Sequence, residues 1–181
     1  MRFVGLDLST KTGLVIIDEL GNVLTEKEIT SKFKEDPQRM IDLTEQVLTH
    51  LKKDDIIAVE GFSYGSRGRG VAFQYGYGYS VQISLYKNDF NYLVVTPSQV
   101  KKFATGLGNA NKESMILPIY KRWGYEHESD NVRDAFILAQ IARATISDVK
   151  LTKFQKEVID TLKKGGRFNE GLDSQGNKIF A

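Results

Sequence analysis

The chain contains no cysteine, which excludes disulfides, zinc–thiolate centres and cysteine nucleophiles and agrees with a reducing compartment. Its two histidines, His50 and His127, lie far apart in sequence and are read as surface or helix-end residues, so no histidine cluster offers itself to a metal. No apolar run approaches the roughly 20 residues needed to cross a membrane. The opening stretch carries Arg2 and Asp7 and does not read as a signal peptide. A soluble intracellular protein without a membrane partner is expected. Net charge is only +2, so bulk charge does not select nucleic acid as a partner. What is present is an ordinary globular balance, 41 % hydrophobic and 27 % charged over 181 residues, enough for one domain with one substantial core.

Charge is unevenly placed. Residues 97–123 hold Lys101, Lys102, Lys112, Lys121 and Arg122 against Glu113 alone, and residues 150–181 hold seven basic side chains against four acidic. Residues 36–60 lean acidic. Folded together, these stretches would make a surface dipole.

Residues 2–8, 13–18 and 23–29 read as three short strands joined by polar turns, an antiparallel meander. Residues 37–53 carry Met40, Ile41, Leu43, Val47, Leu48 and Leu51 at helical spacing. A brief apolar strand, 56–59, ends at Glu60, and a glycine–arginine loop follows over 62–70. A helix is predicted over 71–86 despite Gly76 and Gly78, which either weaken it or let something pack closely. A fifth strand, 92–95, is stopped by Pro97; helices follow at 111–123, with a kink expected at Pro118, and at 129–144. Residues 151–164 suit one more helix, and 165–181 a small hairpin or a tail. Strands that follow helices extend the meander in parallel, giving an α/β fold on a mixed sheet.

Four carboxylates stand at the ends of these elements. Asp7 lies inside an apolar run, between Leu6 and Leu8, where a charge is costly unless compensated, and no partner is local. Glu60 ends the fourth strand. Asp130 and Asp134, four apart, share one face at the start of a helix. Alone that pair reads as helix-dipole capping. Together the four read as hard oxygen donors converging on a divalent cation.

The motif Gly5-Leu6-Asp7-Leu8-Ser9-Thr10-Lys11-Thr12-Gly13 resembles the first strand and turn of the RuvC-type Holliday junction resolvases. So do Val59-Glu60, the stretches Pro97-Ser98-Gln99-Val100-Lys101-Lys102 and Thr105-Gly106-Leu107-Gly108-Asn109-Ala110-Asn111-Lys112, and Asp130-Asn131-Val132-Arg133-Asp134-Ala135, in that order over residues 1–146. The glycine–arginine stretch after Glu60 looks more like a phage-type branch. One departure is the spacing of the last two acidic residues, often three apart in the family and four here, so Asn131 is a rival donor to Asp130.

This resemblance implies an RNase H-like fold, with a five-stranded mixed sheet (three antiparallel strands, then two parallel) flanked by helices. Residues 1–148 would form the nuclease domain, and 149–181 a basic extension packed on it or trailing from it. It implies cleavage of branched DNA by two Mg²⁺ ions, replaceable by Mn²⁺, held by Asp7, Glu60, Asp130 and Asp134, with Lys112 beside the scissile phosphate. It implies DNA contacts from Lys11, Lys101, Lys102, Arg67 and Arg69, stacking by Phe62 and Tyr64, a homodimer matched to a four-way junction, and a cytoplasmic location, the host's for a phage-encoded chain. Phe62 could equally be core, and Gln74-Tyr75-Gly76-Tyr77-Gly78-Tyr79 reads as core or dimer packing rather than DNA contact.

Rival readings share parts of this pattern. Gly5 to Thr10 also resembles the phosphate-binding turn of sugar kinases and actin-like ATPases, but those need a second lobe, and no Gly-Lys-Ser/Thr P-loop is present. A nuclease of the same fold acting on RNA in a hybrid, or a binding module that lost the chemistry, are the other two; the second is disfavoured by four filled acidic positions.

Overall fold

The structure, a computed structural model, describes residues 1–62 and 70–165. The chain runs β1 (Phe3–Asp7), β2 (Lys11–Ile17), β3 (Val23–Thr30), α1 (Gln38–His50), β4 (Ile56–Glu60), α2 (Val71–Lys87), β5 (Asn91–Val95), α3 (Pro97–Thr105), α4 (Lys112–Trp123), α5 (Asp130–Ile146) and α6 (Lys153–Gly165). The five strands form one sheet in the order β3-β2-β1-β4-β5. β1, β2 and β3 pair antiparallel, whereas β1–β4 and β4–β5 pair parallel, as expected from the sequence. This is the α/β arrangement on a five-stranded mixed sheet, three antiparallel strands and then two parallel, that the resemblance implied.

Alternation along the strands gives the sheet two apolar faces. Phe3, Val15, Ile17, Ile56, Ala58, Leu93 and Val95 pack under α3, α4, α5 and α6. Val4, Leu6, Leu8, Leu14, Ile16, Ile57 and Val59 pack under α1 and α2. The helix α5 lies directly across β1 and β2, and two glycines make that possible. A β-carbon on Gly5 would sit 1.9 Å from the Ala135 carbonyl oxygen, and one on Gly13 would sit 2.0 Å from that of Asn131.

One helix escaped the sequence reading. Pro97 does follow the fifth strand, but it opens α3 instead of only ending β5. Thr96 caps the helix, accepting from the Gln99 N–H while the Gln99 side chain accepts from the Thr96 N–H, and Pro97 occupies the first turn, where a missing N–H costs nothing. The helix α4 runs through Pro118, and α5 is capped by Ser129. The helix α6 leans on α3: Gln155 donates to the Phe103 carbonyl, and Lys102 pairs with Glu157 at 2.9 Å. Gly76 and Gly78 do admit close neighbours, Met40 and Phe62 respectively. Among the described residues no helix is long and apolar enough to cross a membrane.

Candidate active site

Three elements deliver the carboxylates. Strand alternation puts Asp7 on the face of Gly5, toward α5. The parallel register pairs Gly5 with Ala58 and Leu6 with Val59, which brings Glu60 up beside Asp7 on the same face. The contact of Gly13 with Asn131 presses the first turn of α5 against the position opposite Asp7, since Asp7 and Gly13 are register partners. Asp134, one turn further along α5, is thereby held within electrostatic reach of both Asp7 and Glu60.

Asp7 is 5 % exposed and shares a hydrogen bond with Glu60. Burial pushes the Asp7 carboxyl well above the ordinary range, and the neighbouring Glu60 charge adds to the rise. Burial also raises Glu60, while the bond with Asp7 pulls the other way. Burial, then the Asp7 charge, pushes Asp134 up to about 7. Asp130 differs: a hydrogen bond from Lys112 Nζ holds its carboxyl below the usual range. Burial, the largest single influence, opposes the charge on Lys112, but the bond to Asp130 and the charges of Asp130, Asp134 and Asp7 together raise the ammonium.

The structure therefore gathers Asp7, Glu60, Asp134, Asp130 and Lys112 into one site. Lys101 is close enough for its charge to favour the ionised form of Glu60. Lys11, at the start of β2, is exposed and 3.6 Å from Glu28. Lys102 is not in the site; it faces α6 in its pair with Glu157. Phe62 is half-buried against α2, stacked on Tyr75 with ring centroids 4.5 Å apart. Tyr64, Arg67 and Arg69 lie outside the described residues, as does all of the 165–181 segment beyond Gly165. Asn131 donates its backbone N–H to Asp130 Oδ1 at 3.1 Å. His50 ends α1; the His127 ring accepts from the Ser129 N–H before α5, and neither joins the site.

Sequence reasoning missed the Lys112–Asp130 bond, which links the first residues of α4 and α5, 18 apart, and leaves no local signal. It also passed over Gly5 and Gly13. A glycine inside an apolar strand signals close backbone approach, and both were visible.

No protein-family model matches the chain, and no curated protein matches it in sequence. Solved structures do match. The RuvC structure of Thermus thermophilus superposes with a TM-score of 0.61 at 21 % identity, covering 77 % of this chain and 91 % of that one. T. thermophilus RuvC in complex with Holliday junction substrate superposes with a TM-score of 0.58 at 21 % identity, covering 77 % and 90 %. The chain has the RuvC fold.

The donors of this site suit a divalent metal in kind. They are all carboxylate oxygens, they include a buried pair in hydrogen-bond contact, and their mutual repulsion is relieved on the protein side chiefly by Lys112. A hard cation such as Mg²⁺ or Mn²⁺ prefers such oxygens. Among the described residues no three His, Cys, Asp or Glu side chains are already drawn close enough to hold an ion.

Proposed function

We propose that this chain is a Mg²⁺-dependent endonuclease that cuts four-way junctions and other branched DNA, with Mn²⁺ able to substitute. The observation that carries this reading is the buried Asp7–Glu60 pair with Asp134 beside it, at the end of the central strands of a RuvC fold. Three carboxylates raised above their ordinary range and within electrostatic reach of one another are unfavourable for folding and favourable for binding cations. The solved relative in complex with a Holliday junction supports a branched substrate.

Asp7, Glu60 and Asp134 would hold the metal ions, with Asp130 assisting. Bound there, a pair of ions supplies an activated water and a neutralised 3′-oxygen leaving group. The protein's own task is to hold these oxygens fixed. Lys112 stands at the rim, 53 % exposed, where its ammonium reaches a phosphate once it exchanges Asp130 for that partner. Lys11, Lys101, Lys102, Tyr64, Arg67 and Arg69 are the proposed DNA contacts, whereas the Phe62 ring is taken up by Tyr75 and Tyr79. The approximate two-fold symmetry of a junction would be met by a two-fold dimer.

The test is to incubate the protein with labelled four-way junction, flap, linear duplex and RNA–DNA hybrid, in Mg²⁺ or in EDTA, beside Asp7→Asn. Metal-dependent cutting of the junction, lost in the variant, is the expected result. Cutting of the hybrid alone would move the substrate to RNA, and tight junction binding without cutting in any metal would refute an enzyme.

A further inference from the structure

Two consecutive residues of α2 contact the segments that follow Asp7 and Glu60 in the chain. The first is Tyr77, fully buried in the apolar cluster on the face of the sheet away from α5. Its hydroxyl lies 2.8 Å from Thr12 Oγ1. Thr12 Oγ1 also lies 2.8 Å from the Ser9 carbonyl oxygen, to which it donates. A threonine hydroxyl has one proton, so with that proton on Ser9 the Tyr77 O–H is the donor to Thr12. The result is a directed chain from Tyr77 to Thr12 to Ser9. It ends in the turn that joins Asp7 to its register partner Gly13. Ser9 Oγ closes the same turn on Lys11, accepting from its N–H at 3.2 Å.

The second residue is Gly78. A β-carbon there would lie 2.5 Å from Cε1 and 3.0 Å from Cζ of Phe62. Phe62 comes two residues after Glu60, and its ring occupies the notch that Gly78 leaves, between Tyr75 at 4.5 Å and Tyr79 at 4.9 Å. Packing alone would be served by phenylalanine at 77, since a buried hydroxyl brings a desolvation cost that only its hydrogen bond offsets. A glycine inside a helix likewise destabilises it relative to alanine. Both costs are met at adjacent positions, and each position contacts a residue that follows one of the two carboxylates: Thr12 five after Asp7 and Phe62 two after Glu60.

We infer that α2 is a positioning strut: Tyr77 fixes the turn after Asp7, Gly78 seats Phe62 after Glu60, and one helix thereby sets how the two carboxylates stand to each other. This rests on reading Asp7 and Glu60 as metal donors. Tyr77 and Gly78 are positioning residues, acting through Thr12 and Phe62.

The experiment compares the full chain with Tyr77→Phe, Gly78→Ala, Thr12→Val and Thr12→Ser, and with Tyr86→Phe as an exposed control. Mn²⁺ binding is measured by electron paramagnetic resonance, junction binding in EDTA by gel shift, and cleavage in single turnovers. Tyr77→Phe, Thr12→Val and Gly78→Ala are each expected to weaken Mn²⁺ binding about tenfold, the effect typical of residues that orient ligands. Junction binding should stay within about twofold, as phosphate contacts dominate it. Thr12→Ser, which keeps the hydroxyl, should restore near-normal metal affinity, and Tyr77→Phe/Thr12→Val should be no worse than either change alone, because both break one chain. Folded variants with unchanged Mn²⁺ affinity would overturn the strut. If the unaltered chain binds no Mn²⁺, the metal reading fails instead. The strut is then judged by amide exchange in residues 8–13: faster exchange in Tyr77→Phe supports it, and unchanged exchange sinks it.

Discussion

The backbone of Gly5 runs so close to α5 that any β-carbon there would lie 1.9 Å from the carbonyl oxygen of Ala135 and 2.5 Å from the amide of Ala139. Those atoms belong to helix backbone and cannot rotate away. Gly5→Ala must therefore lift α5 off β1 and carry Asp134 away from Asp7. The loss of stability should exceed the roughly 1–3 kcal/mol of ordinary overpacking, because backbone and not side chain has to yield. Urea unfolding checks it, with Gly70→Ala, which meets nothing within 4 Å, as the comparison. A Gly5→Ala loss under about 1 kcal/mol would mean that α5 is free to back away.

Asp7→Asn separates stability from chemistry. The Asn amide can donate to Glu60, and the substitution removes the buried acid whose charge raises Asp134. The metal-free variant should unfold at the same or higher denaturant, gaining about 1 kcal/mol near pH 8, as is common when a functional site is relieved of its strain. Cleavage should fall by at least about a thousandfold. A variant destabilised at pH 8 would show that the Asp7 carboxylate supports the fold.

The raised carboxylates give the metal-free protein an unusual pH dependence. A group that holds its proton more tightly folded than unfolded makes stability fall as pH climbs from its unfolded to its folded pKa. For Asp134 that window runs from 3.8 to about 7, and Asp7 and Glu60 shift in the same direction. In EDTA, thermal melting should drop between pH 5 and pH 8. A bound cation substitutes for the lost protons, so Mn²⁺ should raise the melting temperature more at pH 8 than at pH 5, by on the order of 5 °C. Equal shifts at both pH values would argue that the metal does not sit on these carboxylates.

Much of the architecture was legible because it is written locally. The apolar strands, the helical spacing after Pro37 and the carboxylate stranded between Leu6 and Leu8 all sit within a few residues of the signal that betrays them. The helix α3 was written locally too, in Thr96-Pro97-Ser98-Gln99, yet Pro97 read only as a strand stop because both readings use the same residue. The missed contacts join distant residues. Thr12 and Tyr77 are 65 positions apart, and Lys112 and Asp130 are 18 apart, so only the fold brings them together. β3 shows a further difference: most of its side chains are exposed and Ile29 alone is buried, because it is an edge strand held by β2 on one side.

Lys112 tests whether the site is built for a phosphate. Its bond to Asp130 lies at the surface, with the two side chains 53 % and 40 % exposed, so removing it should change stability by less than about 1 kcal/mol. Lys112→Gln should nonetheless lower single-turnover cleavage by about 100-fold, because the charge matters where negative charge develops. Lys112→Arg should recover part of that rate. A loss of stability without a loss of rate would make Lys112 only a partner for Asp130.

At the other end of β1 an ion pair serves the fold alone. Arg2 donates from Nε to Asp55 Oδ1 at 2.8 Å and from its terminal nitrogen to Oδ2 at 2.7 Å, and the same nitrogen donates to the His50 carbonyl at 2.8 Å. One side chain thus ties the entry of β1 to the end of α1 and to the residue before β4. Asp55 is 1 % exposed, and without Arg2 its remaining bond comes from the Lys52 N–H at 2.7 Å. Arg2→Met should therefore cost about 3–5 kcal/mol, the usual result of stranding one buried charge. Arg2→Met/Asp55→Asn should recover part of it, since the charge no longer needs a partner. The pair sits at the start of β1, away from Asp7 at its end, so cleavage well below the melting temperature should stay within about twofold for both variants. Denaturant melts set beside single-turnover rates decide the matter: a rate that falls in step with stability would show that the sheet passes disturbance from one end of β1 to the other.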